Sequence, residues 1–179
     1  GTLREIHNWT NRPVWPQSPN IKARPTKEEA VPENINWDIW LGPAPERKYS
    51  KVYLHFKWRG WWDFGTGALG DMACHTANLP YFALKLGAPT SIQAESEEPN
   101  PETCPAWAKI TYEFPARGEL PPVKVVWYEG KKPEGEKVLP PLDLLQGEKV
   151  SDSASLIVGS KGTMYSPDDY GGKSIWLPK

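Results

Sequence analysis

TGALGDMACHTANLPYFALKLG, residues 66–87, is the segment from which the fold class can be worked out. Its small and apolar residues recur at helical spacing, and Thr66 stands where an N-cap is expected. The pattern ends at Gly87, which is soon followed by a proline. The segment therefore predicts a helix, and Pro80 predicts that this helix is kinked or split in two.

Segments on both sides of this helix alternate apolar and polar residues, which is typical of strands. Residues 2–10 form one such segment, and a Pro-rich loop with one short helical turn follows over 11–57. Beyond the helix, the predicted strands cover 90–98, 106–114, 122–130 and, on both sides of a GSKG turn, 154–168. This order predicts an α+β fold, a mostly antiparallel open sheet with the helix packed on one face.

Composition and charge exclude several classes of function. The 179 residues have a formal net charge of −1, with cationic and acidic residues interspersed, so nothing indicates binding to nucleic acid or to a membrane surface. No apolar run is long enough to span a bilayer. We expect a single domain over 1–179 that comes from a longer protein, and no feature separates a cytoplasmic from a periplasmic location. The 10 tryptophans indicate that the 20 prolines brace ordered loops rather than a disordered chain.

An acid and an imidazole, Asp71 and His75, stand four residues apart in the predicted helix and so share one face. A carboxylate beside a histidine orients the ring and stabilises its protonated form, so the pair can take a proton from a substrate hydroxyl and return it. A purely structural pair is the alternative. The remaining histidines, His7 and His55, have no metal-ligand spacing to the pair, and we expect no metal site. Cys74 is predicted to be a small buried thiol.

The run FKWRGWWDFG directly before the pair combines cations, indoles and an acid, which suits a polyhydroxylated ligand. Its predicted substrate contacts are Lys57, Arg59, Trp61 and Trp62. For the two indoles, packing over the start of the helix is an equal alternative. The glycines of Gly65-Thr66-Gly67 allow another backbone to approach closely.

Residues 60–94, GWWDFGTGALGDMACHTANLPYFALKLGAPTSIQA, closely resemble the C-terminal domain of the Gfo/Idh/MocA oxidoreductases. That family is related to glucose-fructose oxidoreductase and inositol dehydrogenase. Its pattern is a Gly-rich turn, a helix with D-x-x-x-H, then a glycine and a strand. TLREIHNWTNRPVWPQ (2–17) and NWDIWLGPAPERKY (36–49) are similar to a bacterial branch of the family with Trp- and Pro-rich loops.

The resemblance implies an enzyme in which an N-terminal domain binds NAD or NADP, and hydride passes between the nicotinamide and a sugar or cyclitol carbon. It implies that His75 is the acid/base group on the reacting hydroxyl and that Asp71 contacts both the substrate and His75. Asn78 stands where the family often has an aspartate, so we expect an uncharged substrate contact there. The resemblance also implies a homo-oligomer formed through the sheet.

No Gly-rich dinucleotide fingerprint occurs in the chain, so no cofactor-binding residue is expected here and the isolated chain is expected to be inactive. Lys131-Lys132-Pro133 resembles the family's E-K-P motif only superficially, because it lies in a charged turn. Two other functions stay open. One is a carbohydrate-binding module without catalysis, which the tryptophan content favours; the other is an enzyme that uses bound NAD for redox-assisted cleavage of glycosides.

Overall fold

In the computed structural model, which describes residues 2–13 and 22–178, seven strands form one sheet in the order β2-β3-β4-β1-β5-β6-β7. The strands are β1 (Leu3–Thr10), β2 (Ser91–Ser96), β3 (Trp107–Phe114), β4 (Val123–Gly130), β5 (Ala154–Gly159), β6 (Gly162–Ser166) and β7 (Ile175–Leu177). All neighbours are antiparallel except β1 and β4, which run parallel. The predicted α+β fold with a mostly antiparallel open sheet is confirmed.

The helices are α1 (Trp37–Leu41), α2 (Gly67–Thr76) and α3 (Asn78–Ala83). Short 3-10 turns cover Lys51–Tyr53, Lys57–Gly60 and Leu142–Leu145. The first helix is the predicted helical turn within the Pro-rich loop, and Asn36 caps it by accepting from the amide of Ile39. Residues 14–21 of that predicted loop lie outside the described residues.

The predicted helix over 66–87 is two helices, and they meet at Ala77 rather than at Pro80. Pro80 lies in the first turn of α3, where an amide N–H has no intrahelical partner and its loss costs nothing. The second helix ends at Ala83, four residues before Gly87. Thr66 does occupy the N-cap position of α2, but its side chain makes no capping hydrogen bond.

The prediction that Cys74 is buried is wrong, because its thiol is exposed. The sheet-facing side of α2 is marked by the buried residues Met72 and Thr76. Cys74 follows Met72 by two positions, which turns its side chain about 200° around the helix axis. Cys104 is buried, and both cysteines are free thiols.

The central strand β1 is covered on both faces, and its residues 6–10 are all buried. On one face a core surrounds Trp9 and includes Leu145 from the connection between β4 and β5. On the other face Ile6 packs with Leu86, which follows α3. The hydroxyl of Ser155 donates to the carbonyl of Thr76 and ties the end of α2 to β5. The helix pair thus lies on one face of the sheet, as predicted.

Candidate active site around α2

A close backbone contact places the turn that carries Arg59 against the start of α2. A Cβ added to Gly65 would lie only 2.6 Å from the Cα of Arg59, so no other residue fits there without a shift. Gly67, the first residue of α2, has a φ of +64°, which glycine adopts without steric cost. The close approach expected at these glycines is therefore present, and it brings Arg59 beside Asp71.

Arg59 is held from two sides. Its Nε donates to Oδ1 of Asp71 at 3.2 Å. Its guanidinium carbon lies 4.3 Å from the ring centroid of Trp58 and 5.2 Å from that of Phe56, within the range of cation–π attraction. Its two Nη groups donate to no acceptor among the described residues, and the side chain is partly exposed. As far as the described residues go, those groups can donate to an oxygen of a ligand.

His75 follows Asp71 by four residues on α2, so both side chains lie on one side of the helix, and both are partly exposed. Asp71 accepts from Arg59, and within the described residues no hydrogen bond joins Asp71 to His75. The ring that contacts His75 is that of Tyr170, with centroids 5.1 Å apart and planes at 65°. The expected orientation of the imidazole by Asp71 is thus not realised as a direct bond.

The prediction that Trp61 contacts the substrate is wrong. Its side chain is fully buried, its indole N–H donates to the carbonyl of Val52, and its ring packs edge-on against Tyr53. A ligand cannot reach it without unfolding this loop. Packing, the alternative that the sequence left open, accounts for Trp61.

The other predicted contacts lie at the surface around the same helix. Trp62 is about half exposed, and its indole N–H donates to the carbonyl of Asn100. Lys57 begins the 3-10 turn that carries Arg59. Asn78 is exposed at the start of α3, three residues after His75. Their roles as substrate contacts stay predictions.

Sequence reasoning missed Trp58 and Tyr170. Trp58 lies within the run FKWRGWWDFG, and the adjacent Arg59 is the feature that could have indicated a cation–π contact. Tyr170 belongs to the loop between β6 and β7, far along the chain from His75, and no local pattern in its SPDDYGG context indicates which helix it contacts.

No group of three or more His, Cys, Asp or Glu side chains is placed to hold a metal ion in the described part of the chain. Over residues 2–13 and 22–178, none of the helices has the length and apolar character that crossing a membrane requires.

Comparison with known proteins assigns the chain to a family. The model of an oxidoreductase family's C-terminal alpha/beta domain, GFO_IDH_MocA_C2, matches residues 8–120, more than half of the chain. No curated protein matches it. The matched region contains Arg59, Asp71 and His75, whereas Tyr170 lies beyond it. The chain belongs to the Gfo/Idh/MocA oxidoreductase family and has the fold of its C-terminal α/β domain.

Proposed function

We propose that this domain forms the substrate side of an NAD- or NADP-dependent oxidoreductase that acts on a hydroxyl-bearing carbon of a sugar or polyol. One observation carries the proposal: His75 and Asp71 share one side of α2, and Arg59 is held against Asp71 with Nη groups that no acceptor among the described residues occupies. Family membership supports the class of reaction.

The described residues contain no βαβ unit and no Gly-rich phosphate loop, so they do not fit a dinucleotide. In the proposal a separate domain of the full-length protein binds NAD or NADP. A nucleotide bound by that domain would supply or accept the hydride. The residues of this chain act on the substrate's oxygen atoms.

His75 performs the proton transfer in this proposal. As a substrate alcohol becomes a carbonyl, its hydroxyl proton passes to the imidazole, and in the reverse direction the imidazole returns that proton. The Asp71 carboxylate accepts a hydrogen bond from a neighbouring substrate hydroxyl. The Nη groups of Arg59 donate to substrate oxygens, and the Trp58 ring keeps the guanidinium in place.

Self-association through the sheet is part of the proposal. The edge strand β2 is exposed on both faces, and Ile92 on it is 62% exposed. An apolar cavity of about 490 Å³ lies between the helix pair and the sheet, with Ile92, Tyr112 and Trp127 in its wall. A second copy of the chain would cover this apolar surface.

Two alternatives differ in their chemistry. A carbohydrate-binding module would need exposed indoles such as Trp62 and Trp176, because Trp9, Trp61 and Trp127 are core residues. Redox-assisted glycoside cleavage would use the same His75 and Asp71 and is separated from dehydrogenation only by its products.

The test incubates the full-length protein with NAD or NADP and a panel of sugars, polyols and glycosides. Reduced nucleotide formed together with an equal amount of oxidised sugar supports the proposal. Free sugar released from a glycoside without net reduced nucleotide supports redox-assisted cleavage instead. If neither reaction occurs, but the isolated chain binds sugar and loses binding in Trp62→Ala and not in His75→Ala, the domain is a binding module.

A further inference from the structure

We propose that Tyr170 is the positioning residue of His75. In this proposal the loop between β6 and β7 holds the phenol ring against the imidazole and so fixes the direction in which His75 exchanges a proton. The inference rests on the proposed function for its catalytic consequence. The contact between Tyr170 and His75 concerns this chain alone and can be tested without an activity assay.

The contact between the two rings has the geometry of an attractive aromatic pair. The centroids of His75 and Tyr170 are 5.1 Å apart and the ring planes meet at 65°, which is an edge-to-face arrangement. Asp71 binds Arg59, and no side-chain hydrogen bond to the imidazole is formed among the described residues. Tyr170 is therefore the side chain in place to orient His75.

The loop that presents Tyr170 is organised by one carboxylate. Oδ1 of Asp168 accepts from the backbone amides of Tyr170 at 2.8 Å and Gly172 at 3.1 Å, and Oδ2 accepts from the amide of Lys173 at 3.0 Å. Slight burial alone would raise the pKa of Asp168, but these amide hydrogen bonds lower it below its ordinary value. The carboxylate is thus ionised at neutral pH and fixes the backbone on both sides of Tyr170.

The same loop is anchored at the helix pair and at the sheet. Gly171 has a φ of +71°, and a Cβ added there would lie 3.0 Å from Cδ2 of Leu79 on α3. On the sheet side, the hydroxyl of Ser166 donates to the carbonyl of Lys173 at 2.8 Å. These contacts fix the loop relative to the helix that carries His75.

The exposure of Tyr170 argues against a role in the core. Its side chain is 74% exposed, and its hydroxyl has no hydrogen-bond partner among the described residues. Tyrosines that stabilise a core are mostly buried and have their hydroxyl paired. A loop held by these contacts places an exposed aromatic ring against a partly exposed histidine, which fits a role in orienting His75.

The test uses two variants of Tyr170 and a matched control in the full-length protein. Tyr170→Ala removes the aromatic ring and Tyr170→Phe keeps it. The control Phe82→Ala removes an exposed aromatic ring on α3. We expect Tyr170→Ala to lower kcat by about tenfold or more with KM little changed, because a misplaced catalytic group mainly affects the transition state. Tyr170→Phe and Phe82→Ala should keep kcat near the wild-type value.

A second readout does not depend on activity. NMR spectra of protein with isotope-labelled histidine show the imidazole proton resonances. Those of His75 are assigned by their loss in His75→Gln. We expect Tyr170→Ala to remove the ring-current shift of these resonances, and Tyr170→Phe to retain it.

A wild-type kcat in Tyr170→Ala, an equal loss in Tyr170→Phe, or His75 resonances that Tyr170→Ala leaves in place would each overturn the proposal. If the full-length protein oxidises no sugar or polyol, the proposed function fails, and the resonances alone decide whether Tyr170 positions His75.

Discussion

At the scale of single residues, Arg59 connects the aromatic run to the helix with the Asp–His pair. Its bond to Asp71 is partly exposed, and ion pairs of that kind contribute only about 0–1 kcal/mol to stability. Its stacking on Trp58 adds an amount of similar size. Contributions of this size leave little for Arg59 to do in stabilising the fold, in keeping with its proposed role in substrate binding.

Arg59→Lys should separate these two roles. Lysine keeps the charge but loses the planar group that stacks on Trp58 and donates through several N–H groups. We expect kcat/KM to fall by about tenfold, while the free energy of unfolding changes by less than about 1 kcal/mol. Steady-state kinetics and urea titration of the full-length protein measure both. A large loss of stability with unchanged kcat/KM would show that Arg59 is structural.

Glu129 is a buried acid outside the candidate site. It is 2% exposed on β4, and its carboxylate accepts a hydrogen bond from the indole N–H of Trp127 at 2.7 Å. Burial raises the pKa of Glu129 to about 7, against the smaller lowering effect of that bond. The folded state therefore binds this proton more tightly than the unfolded chain, so the stability contributed by Glu129 falls as pH rises from about 4.5 to about 7.

Glu129→Gln should remove this pH dependence, because glutamine is uncharged and still accepts from Trp127. We expect the variant to match the wild type at pH near 4 and to exceed its free energy of unfolding at pH 8 by up to about 3 kcal/mol. Urea titrations at both pH values measure the difference. Glu134→Gln, at an exposed glutamate, is the control and should show no such difference. A Glu129→Gln variant that is less stable at pH 8 would contradict the assignment.

At the scale of elements, the sequence predicts what depends on local pattern. Alternation identified β1 to β6, and the NINWDIWL segment identified α1. The three-residue β7 is too short to show an alternating pattern. The break between α2 and α3 at Ala77 could not be predicted, because no Gly or Pro occupies that position.

Long-range packing accounts for what was missed at the site. Adjacent tryptophans in one run do not reveal that Trp61 points into the core while Trp62 does not. In the same way, the sequence predicts that the carboxylate of Asp71 contacts His75. The close approach at Gly65 instead places Arg59 beside Asp71, and the Nε of Arg59 donates to this carboxylate. The partners of the site residues come from separate segments of the chain, and their spacing in the sequence carries no such information.

Gly65→Ala should disturb the close backbone contact between the start of α2 and the 3-10 turn that carries Arg59. Its Cβ would meet rigid backbone atoms of Arg59, the nearest at 2.6 Å, and overpacking of this kind costs about 1–3 kcal/mol. We expect a lower Tm and a reduced kcat/KM in the full-length protein. Gly87→Ala is the matched control, because no atom lies within 4 Å of its added Cβ. Equal Tm values for the two variants would show that the contact at Gly65 is not tight.

At the scale of the whole molecule, the uncovered apolar part of the sheet predicts self-association. Ile92 and Gln93 are neighbours on the edge strand β2, and successive side chains of a strand point to opposite faces. Ile92 lies on the face with the apolar cavity, and Gln93 lies on the other. The two positions therefore distinguish one face of the sheet from the other.

Ile92→Glu should weaken association of the full-length protein, because it places a charge on the apolar surface. Gln93→Glu adds the same charge to the opposite face and should leave the assembly intact. Sedimentation equilibrium gives the masses of both variants. A wild-type protein that is monomeric at all concentrations, or an assembly that only Gln93→Glu dissociates, would refute the proposed interface.

Proton transfer by His75 is the central step of the proposed function, and one measurement tests it most directly. In the full-length protein, His75→Ala is compared with His55→Ala, which removes an exposed histidine outside the site. We expect kcat to fall by about 10²–10⁴-fold in His75→Ala, the usual contribution of general acid–base catalysis, and to stay at the wild-type value in His55→Ala. An unchanged kcat in a folded His75→Ala variant would contradict the account.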